Sequence, residues 1–155
     1  MSPLARSAFA AIETSPVSQW LRENDYAYFV ALIFHAFGMV MLVGAAIGIC
    51  LGLLRASRPD ELRFYRPFYP VLWAGAVVAG LSGMALLLAY PAKAMTNPLF
   101  AVKFACFIGA FLLMRSSAAG HTHGRRMAAI SLLLWLAGVA SGKLLLHTAS
   151  ILTVT

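Results

Sequence analysis

Four residues that could bind a ligand lie in stretches otherwise suited to lipid: His35, Lys103, Lys143 and His147. Imidazole nitrogens are common ligands of haem iron and of copper, and lysine ammonium groups bind carboxylates and phosphates. The chain has no Asp or Glu after Glu61, so no acidic residue nearby in sequence can neutralise the lysines. Because an ionisable residue at membrane depth costs about 2.5–3.5 kcal/mol, these residues predict a ligand site.

The composition is that of an integral membrane protein. Hydrophobic residues make up 61% of the 155 residues, charged residues make up 11%, and the mean hydropathy is +0.83. A helix of about 20 apolar residues spans the hydrocarbon core. Four such stretches occur, at approximately residues 26–54, 67–92, 94–115 and 127–153. The prediction is an all-α, integral membrane four-helix bundle formed by one domain, residues 26–155.

Residues 1–25 are predicted to form a separate N-terminal interfacial segment. They carry charges throughout and lack the continuous apolar run of a signal peptide. Two short amphipathic helices are expected, one near residues 4–12 and one that starts at Ser15 and Pro16, a pair that fits an N-cap and a first helical residue. The second helix carries Trp20, a residue common in the headgroup region of a bilayer.

Loop charge predicts the orientation in a bacterial inner membrane. The first and third connections hold seven arginines, whereas the N-terminal segment and the second connection hold three basic residues. By the positive-inside rule the arginine-rich connections are cytoplasmic, and both termini are periplasmic. The seven are Arg55, Arg58, Arg63, Arg66, Arg115, Arg125 and Arg126. They lie in short loops beside helices, which does not favour nucleic-acid binding.

The four candidate residues are predicted to lie at a similar depth. At 1.5 Å per residue, His35 is about 13 Å from the outer end of the first helix, and Lys103 is about 8 Å from that of the third. His147 and Lys143 are about 12 and 18 Å from the end of the fourth helix, and their spacing of four residues places them on one face. Three helices are therefore expected to bring polar groups together in the outer half of the bilayer.

A b-type haem explains the four residues together. Histidines on two facing helices can ligate haem iron from both sides, and His35 and His147 are the candidate axial ligands. The haem propionates would then pair with Lys103 and Lys143. This arrangement predicts electron transfer, within a larger redox assembly or between a quinol and a periplasmic partner. Taken singly, each histidine is better explained as a hydrogen-bonded packing residue, and the lysines can be explained as side chains that extend towards the interface.

Copper handling is the alternative ligand chemistry. His35 and Met39 are four residues apart on the first helix, and Met84 and Met95 lie on or beside the second. Thioether sulfur suits Cu(I), although methionine is also an ordinary packing residue of apolar helices. The metal ligands would then be His35 and methionines rather than a pair of histidines.

A non-catalytic accessory subunit is a third hypothesis, and glycine spacing supports it. Gly44, Gly48 and Gly52 recur every four residues on the first helix, and Gly138 and Gly142 do so on the fourth. Such faces permit close approach of another helix. They predict contacts with a neighbouring helix or with another subunit of a homo- or hetero-oligomer.

Three motifs carry a resemblance to known proteins: Phe34-His35-Ala36-Phe37-Gly38-Met39, Leu53-Leu54-Arg55 and Asn97-Pro98-Leu99-Phe100-Ala101-Val102-Lys103. They resemble a family of small uncharacterised bacterial four-helix membrane proteins. More distantly, His35 and Lys103 resemble residues of copper-resistance protein D and of HemJ-type protoporphyrinogen oxidases. The latter bind haem through a histidine of the first helix, so this resemblance implies that His35 is a haem ligand.

Overall fold

A computed structural model describes residues 10–55, 63–91, 97–118 and 124–151, with side chains described to Ser117 in the third range and to Leu144 in the fourth. Within these ranges the chain is helical, and the all-α prediction is confirmed. Four helices are long and apolar enough to cross a membrane. The helices are α1 (Pro16–Glu23), α2 (Asp25–Arg55), α3 (Phe68–Ala89), α4 (Pro98–Ala118) and α5 (Gly124–Ile151).

The helix ends differ from the predicted bounds by a few residues. The predicted third helix began at residue 94, whereas α4 begins at Pro98 because proline suits a first helical position and Asn97 caps it. The Asn97 side-chain oxygen accepts a hydrogen bond from the Leu99 amide at 3.0 Å. The helix α5 begins three residues earlier than predicted, at Gly124, where the Ser117 hydroxyl donates to the Gly124 carbonyl oxygen at 2.6 Å.

The helix predicted at Ser15 and Pro16 is confirmed as α1. Ser15 is its N-cap and accepts a hydrogen bond from the Ser18 amide at 3.3 Å, and Pro16 is its first residue. The other predicted N-terminal helix falls largely outside the described residues. Ser18 and Leu21 are buried against α2 and α3, whereas Trp20 is 57% exposed. The short helix α1 therefore packs along the first two membrane helices.

The membrane helices form two hairpins, α2 with α3 and α4 with α5, which contact each other mainly through α2 and α5. The end of the bundle that carries the described arginines 55, 63, 66, 115, 125 and 126 is called the basic end. The opposite end, where Tyr28 and Tyr90 form an edge-to-face contact at 5.8 Å, is called the tyrosine end. These two ends give a frame in which the candidate residues can be placed.

Glycine permits the close crossing of α2 and α3. A Cβ placed on Gly38 would lie 2.5 Å from the amide nitrogen of Ala79, and a Cβ placed on Gly75 would overlap the amide nitrogen of Leu42. Both are contacts with backbone, which cannot move aside as a side chain can. The α2–α3 hairpin is therefore fixed by two glycines that face each other across the helix pair.

The core that joins the hairpins lies in the basic-end half of the bundle. It includes Ile49 and Cys50 of α2, Met114 of α4 and Trp135 of α5, each at most 2% exposed. The Ser131 hydroxyl donates to the Ala110 carbonyl oxygen at 2.7 Å, so the Cys50 thiol, at 3.4 Å, donates to Ser131. Three helices are linked here by apolar packing and one short hydrogen-bonded chain.

Towards the tyrosine end the hairpins are less closely packed against each other. Ala36, Val43 and Cys50 lie seven residues apart on one face of α2. Ala36 is exposed, whereas Val43 is 8% and Cys50 0% exposed. Residues 98–109 of α4 contain no fully buried residue. The described part of the bundle is therefore closed at its basic end and more open at its tyrosine end.

Most of the predicted glycine faces are covered by side chains of the same chain. Cβ atoms placed on Gly48, Gly52 and Gly138 would lie 2.9 Å or less from the rings of Phe68, Tyr65 and Phe107, respectively. Gly142 lies beneath the alkyl chain of Lys103. Only Gly44 of the five predicted positions has open space around it within 4 Å. Most of this pattern is therefore explained by packing within the bundle.

Candidate cofactor site at His35 and Lys103

His35 is half-buried on α2 and contacts α3 through one edge of its ring. Its Nδ1 lies 2.9 Å from the carbonyl oxygen of Ala79. A carbonyl oxygen only accepts hydrogen bonds, so Nδ1 carries the proton and donates it. The other ring nitrogen, Nε2, then holds a lone pair, and no hydrogen bond reaches it from the described residues. This is the state in which a histidine ligates a metal.

Small residues of α3 form the surface on which the ring rests. Ser82 Oγ is 3.5 Å from Nδ1, and a Cβ placed on Gly83 would lie 3.0 Å from Cε1 of His35. A larger residue at position 83 would displace the ring. Gly80 lies about one helical turn before Gly83 on α3. A Cβ placed on Gly80 would have no atom within 4 Å.

Lys103 comes from the other hairpin and lies across α5. Its Nζ is 5.9 Å from the centre of the Phe107 ring and 3.6 Å from a Cβ placed on Gly142. The side chain is half-buried. The acidic residues in the described ranges all precede Tyr26, before the first helix has entered the apolar span. Lys103 is therefore held among apolar and aromatic groups with no carboxylate of its own helix or hairpin to neutralise it.

His35 belongs to the α2–α3 hairpin and Lys103 to the α4–α5 hairpin, and the helices that carry them, α2 and α4, are in contact. Both side chains are half-buried in the tyrosine-end half of the bundle. An imidazole lone pair and an ammonium group there could bind a metal-containing ligand that carries an anionic substituent.

The fourth helix contributes less to the described site. Lys143 follows Gly142 directly, but its side chain is exposed rather than packed on α4. Neighbouring residues of a helix differ by 100° in direction, so Gly142 faces Lys103 while Lys143 faces elsewhere. His147 belongs to α5, and its side chain lies outside the described residues. The second predicted axial ligand therefore remains a prediction.

The sulfur ligands of the copper alternative are not gathered at His35. Met39 packs against the core, Met84 is 61% exposed on α3, and Met95 lies outside the described residues. Within the described ranges, no three side chains of the types His, Cys, Asp and Glu are grouped as metal ligands. The described geometry therefore singles out His35 as the one candidate ligand already oriented by its neighbours.

Sequence reasoning missed Ala79, Ser82 and Gly83. Serine and glycine are common in apolar helices, where they permit close packing, so nothing in the types of these residues distinguished them. A usable signal was their spacing from Gly75, because residues 75, 79, 82 and 83 share one face of α3. That face had to meet another helix, and α2 carries the histidine at the matching level.

Comparison of the chain with family models, with curated proteins and with solved structures finds no match.

Proposed function

We propose that this protein binds a b-type haem in its membrane domain and transfers electrons, with His35 as an axial ligand. The observation that carries the proposal is the hydrogen bond from Nδ1 to the Ala79 carbonyl oxygen, which leaves Nε2 available. A buried ligand histidine normally has such a partner, since it fixes the tautomer and the ring direction. A bound haem would supply a one-electron iron couple in a region of low polarity.

The charge of Lys103 supports a ligand with carboxylates. Haem carries two propionates, and a half-buried ammonium group without a neighbouring acid is a suitable partner for one of them. Lys143, whose side chain is exposed, is the second candidate partner. Together, His35 and Lys103 would hold opposite parts of one flat, dianionic molecule.

The more open tyrosine-end half is where the proposed macrocycle would lie. Gly80 and Ala36 are exposed there, and α3 contacts α4 through Trp73 and Phe111, whose ring centres are 5.7 Å apart at a level closer to the basic end. His147 of α5 is the proposed second axial ligand. With both histidines bound, the iron would have no open position, which suits electron transfer better than catalysis at the metal.

The cellular setting is part of the proposal. The arginines at the basic end support a cytoplasmic location for that end, and the proposed cofactor would then lie near the periplasmic side of a bacterial inner membrane. Val17 and Trp20 are exposed large apolar residues of α1, which supports an interfacial position for this helix. A quinol or a periplasmic protein would be the electron partner, and the open Gly44 is a position at which a further subunit could pack.

Absorption spectroscopy tests the proposal directly. The protein would be produced with adequate haem supply, purified in mild detergent, and measured in the oxidised and dithionite-reduced states. A sharp reduced α-band with a shifted Soret band is the expected result, and a low-spin spectrum would support ligation by two histidines. A featureless spectrum would contradict the proposal, and stoichiometric copper in that preparation would favour the copper alternative.

Replacing Lys103 with glutamine is expected to weaken haem binding by about ten-fold or more, because a hydrogen bond to a charged group contributes about 1.5–3 kcal/mol. Titration of the cofactor-free protein with haem would measure the change. Lys143→Gln is the matched control, since it removes an equal charge from an exposed side chain and should cost less. Equal losses in the two variants would argue against Lys103 as the principal propionate partner.

A further inference from the structure

We infer that Ser82 is a positioning residue for His35, a role that rests on the proposed function of that histidine as a cofactor ligand. Ser82 lies on α3 and is 8% exposed. Its Oγ is 3.5 Å from His35 Nδ1 and also donates a hydrogen bond to the carbonyl oxygen of Val78 at 2.5 Å. The serine thus connects the imidazole ring to the backbone of the neighbouring helix.

The hydrogen bond to Val78 determines whether the Ser82 hydroxyl faces His35 as a donor or as an acceptor. Since the hydroxyl proton is directed at the Val78 carbonyl oxygen, Oγ turns a lone pair towards Nδ1. The Ala79 carbonyl oxygen, at 2.9 Å, does the same. Two acceptors beside one ring nitrogen favour the tautomer with a proton on Nδ1. The alternative tautomer would place an Nδ1 lone pair against two oxygen lone pairs.

Ser82 also limits rotation of the ring. A hydrogen bond to Ala79 alone is a single point about which the imidazole could turn. Ser82 on α3 adds a second contact, and Gly83 sets the distance of closest approach, because its added Cβ would lie 3.0 Å from Cε1. The surface formed by Ala79, Ser82 and Gly83 thereby defines the direction in which Nε2 points.

Nitrogen NMR of the cofactor-free protein tests this role without any bound haem. With ¹⁵N-labelled histidine and His35→Gln for assignment, the wild-type protein should show a single sharp His35 signal of the Nδ1-protonated tautomer. Ser82→Ala should broaden or split that signal. Ser82→Thr, which keeps the hydroxyl, should restore it.

Ser141→Ala is the matched control. Ser141 is 6% exposed, and its hydroxyl donates to a carbonyl oxygen of its own helix, that of Gly138, at 2.9 Å. Its replacement removes a buried back-bonded hydroxyl from the span without touching His35. The His35 signal should remain as in the wild-type protein.

Haem affinity gives the second readout. Loss of a residue that orients a metal ligand typically costs 10- to 100-fold in affinity, so Ser82→Ala should bind haem about ten-fold more weakly, while Ser141→Ala should not. A His35 signal and a haem affinity that are the same in both alanine variants would overturn the inference. If the wild-type protein bound no haem, the proposed function would fail, while the NMR comparison would still decide whether Ser82 fixes the ring.

Discussion

Replacement of His35 by alanine is expected to abolish haem retention during purification. The substitution removes an imidazole whose Nδ1 is already bonded to a backbone carbonyl, that of Ala79 at 2.9 Å, and with it the proposed iron ligand. A bond to one remaining axial ligand and a propionate contact would not hold the cofactor through detergent exchange. The haem content per polypeptide, measured by pyridine haemochromogen absorbance, should fall to background while the protein remains folded by circular dichroism.

Met39→Leu is the control for this experiment. Met39 is four residues from His35 on the same helix and packs against the core, and leucine preserves its volume, which usually costs little stability. Unchanged haem in this variant and none in His35→Ala would assign the ligand. Undiminished haem in His35→Ala would remove His35 from the site. The variant His147→Ala separately reports on the second ligand, since a change from low to high spin would identify it.

Replacing Gly75 with alanine is expected to destabilise the bundle by about 3 kcal/mol, the upper part of the usual range for overpacking. The new Cβ would overlap the amide nitrogen of Leu42 and lie 2.8 Å from Cβ of Met41. Relief of this contact requires α2 and α3 to move apart, which would also disturb the contact between His35 and α3. Unfolding with increasing SDS in mixed micelles measures the effect.

Gly80→Ala provides the comparison on the same helix. It adds the same methyl group where nothing lies within 4 Å, and alanine is the better helix former. This variant should unfold at the same SDS fraction as the wild-type protein or at a slightly higher one. Equal stability of Gly75→Ala and Gly80→Ala would contradict the close contact between the backbones of α2 and α3 at Gly75.

The helices could be predicted from the sequence because a membrane imposes a simple rule. A helix must satisfy its backbone hydrogen bonds internally, so each long apolar stretch becomes one spanning helix. The signal at Ser15 and Pro16 was equally local and located α1 correctly. The first residue of α4 was less predictable. An apolar stretch shows where a helix can lie, whereas Asn97 and Pro98 determine where this helix begins.

Neighbour relations between the helices could not be derived from hydropathy. A lipid-facing leucine and a core leucine satisfy the same apolar pattern, so the sequence does not show which side of α2 meets α3. The glycine repeat illustrates the limit. Gly48 and Gly52 accept rings from the first connection and the start of α3, whereas Gly44 in the same repeat remains open.

The sequence predicts how far along each helix the candidate residues lie, but it does not predict which way their side chains point. Residue counting placed Lys103 and Lys143 in the same half of the bilayer, and the structure shows a difference that counting does not contain. Lys103 packs along Gly142, while Lys143 is exposed one residue further on. The acceptor for His35 also escaped prediction because it is a backbone carbonyl, which every residue possesses.

The core at the basic end has a consequence for the passage of ions across the membrane. This region is apolar apart from the Cys50 thiol, the Trp135 indole and the Ser131 hydroxyl that Cys50 contacts, and the described core contains no charged side chain. Such a layer gives a proton or metal ion no charged group and few polar groups that could replace its hydration shell. A haem bound at His35, as proposed, would lie on the tyrosine-end side of this uncharged layer. It could then exchange electrons on that side of the bilayer, while the layer would hinder the passage of ions.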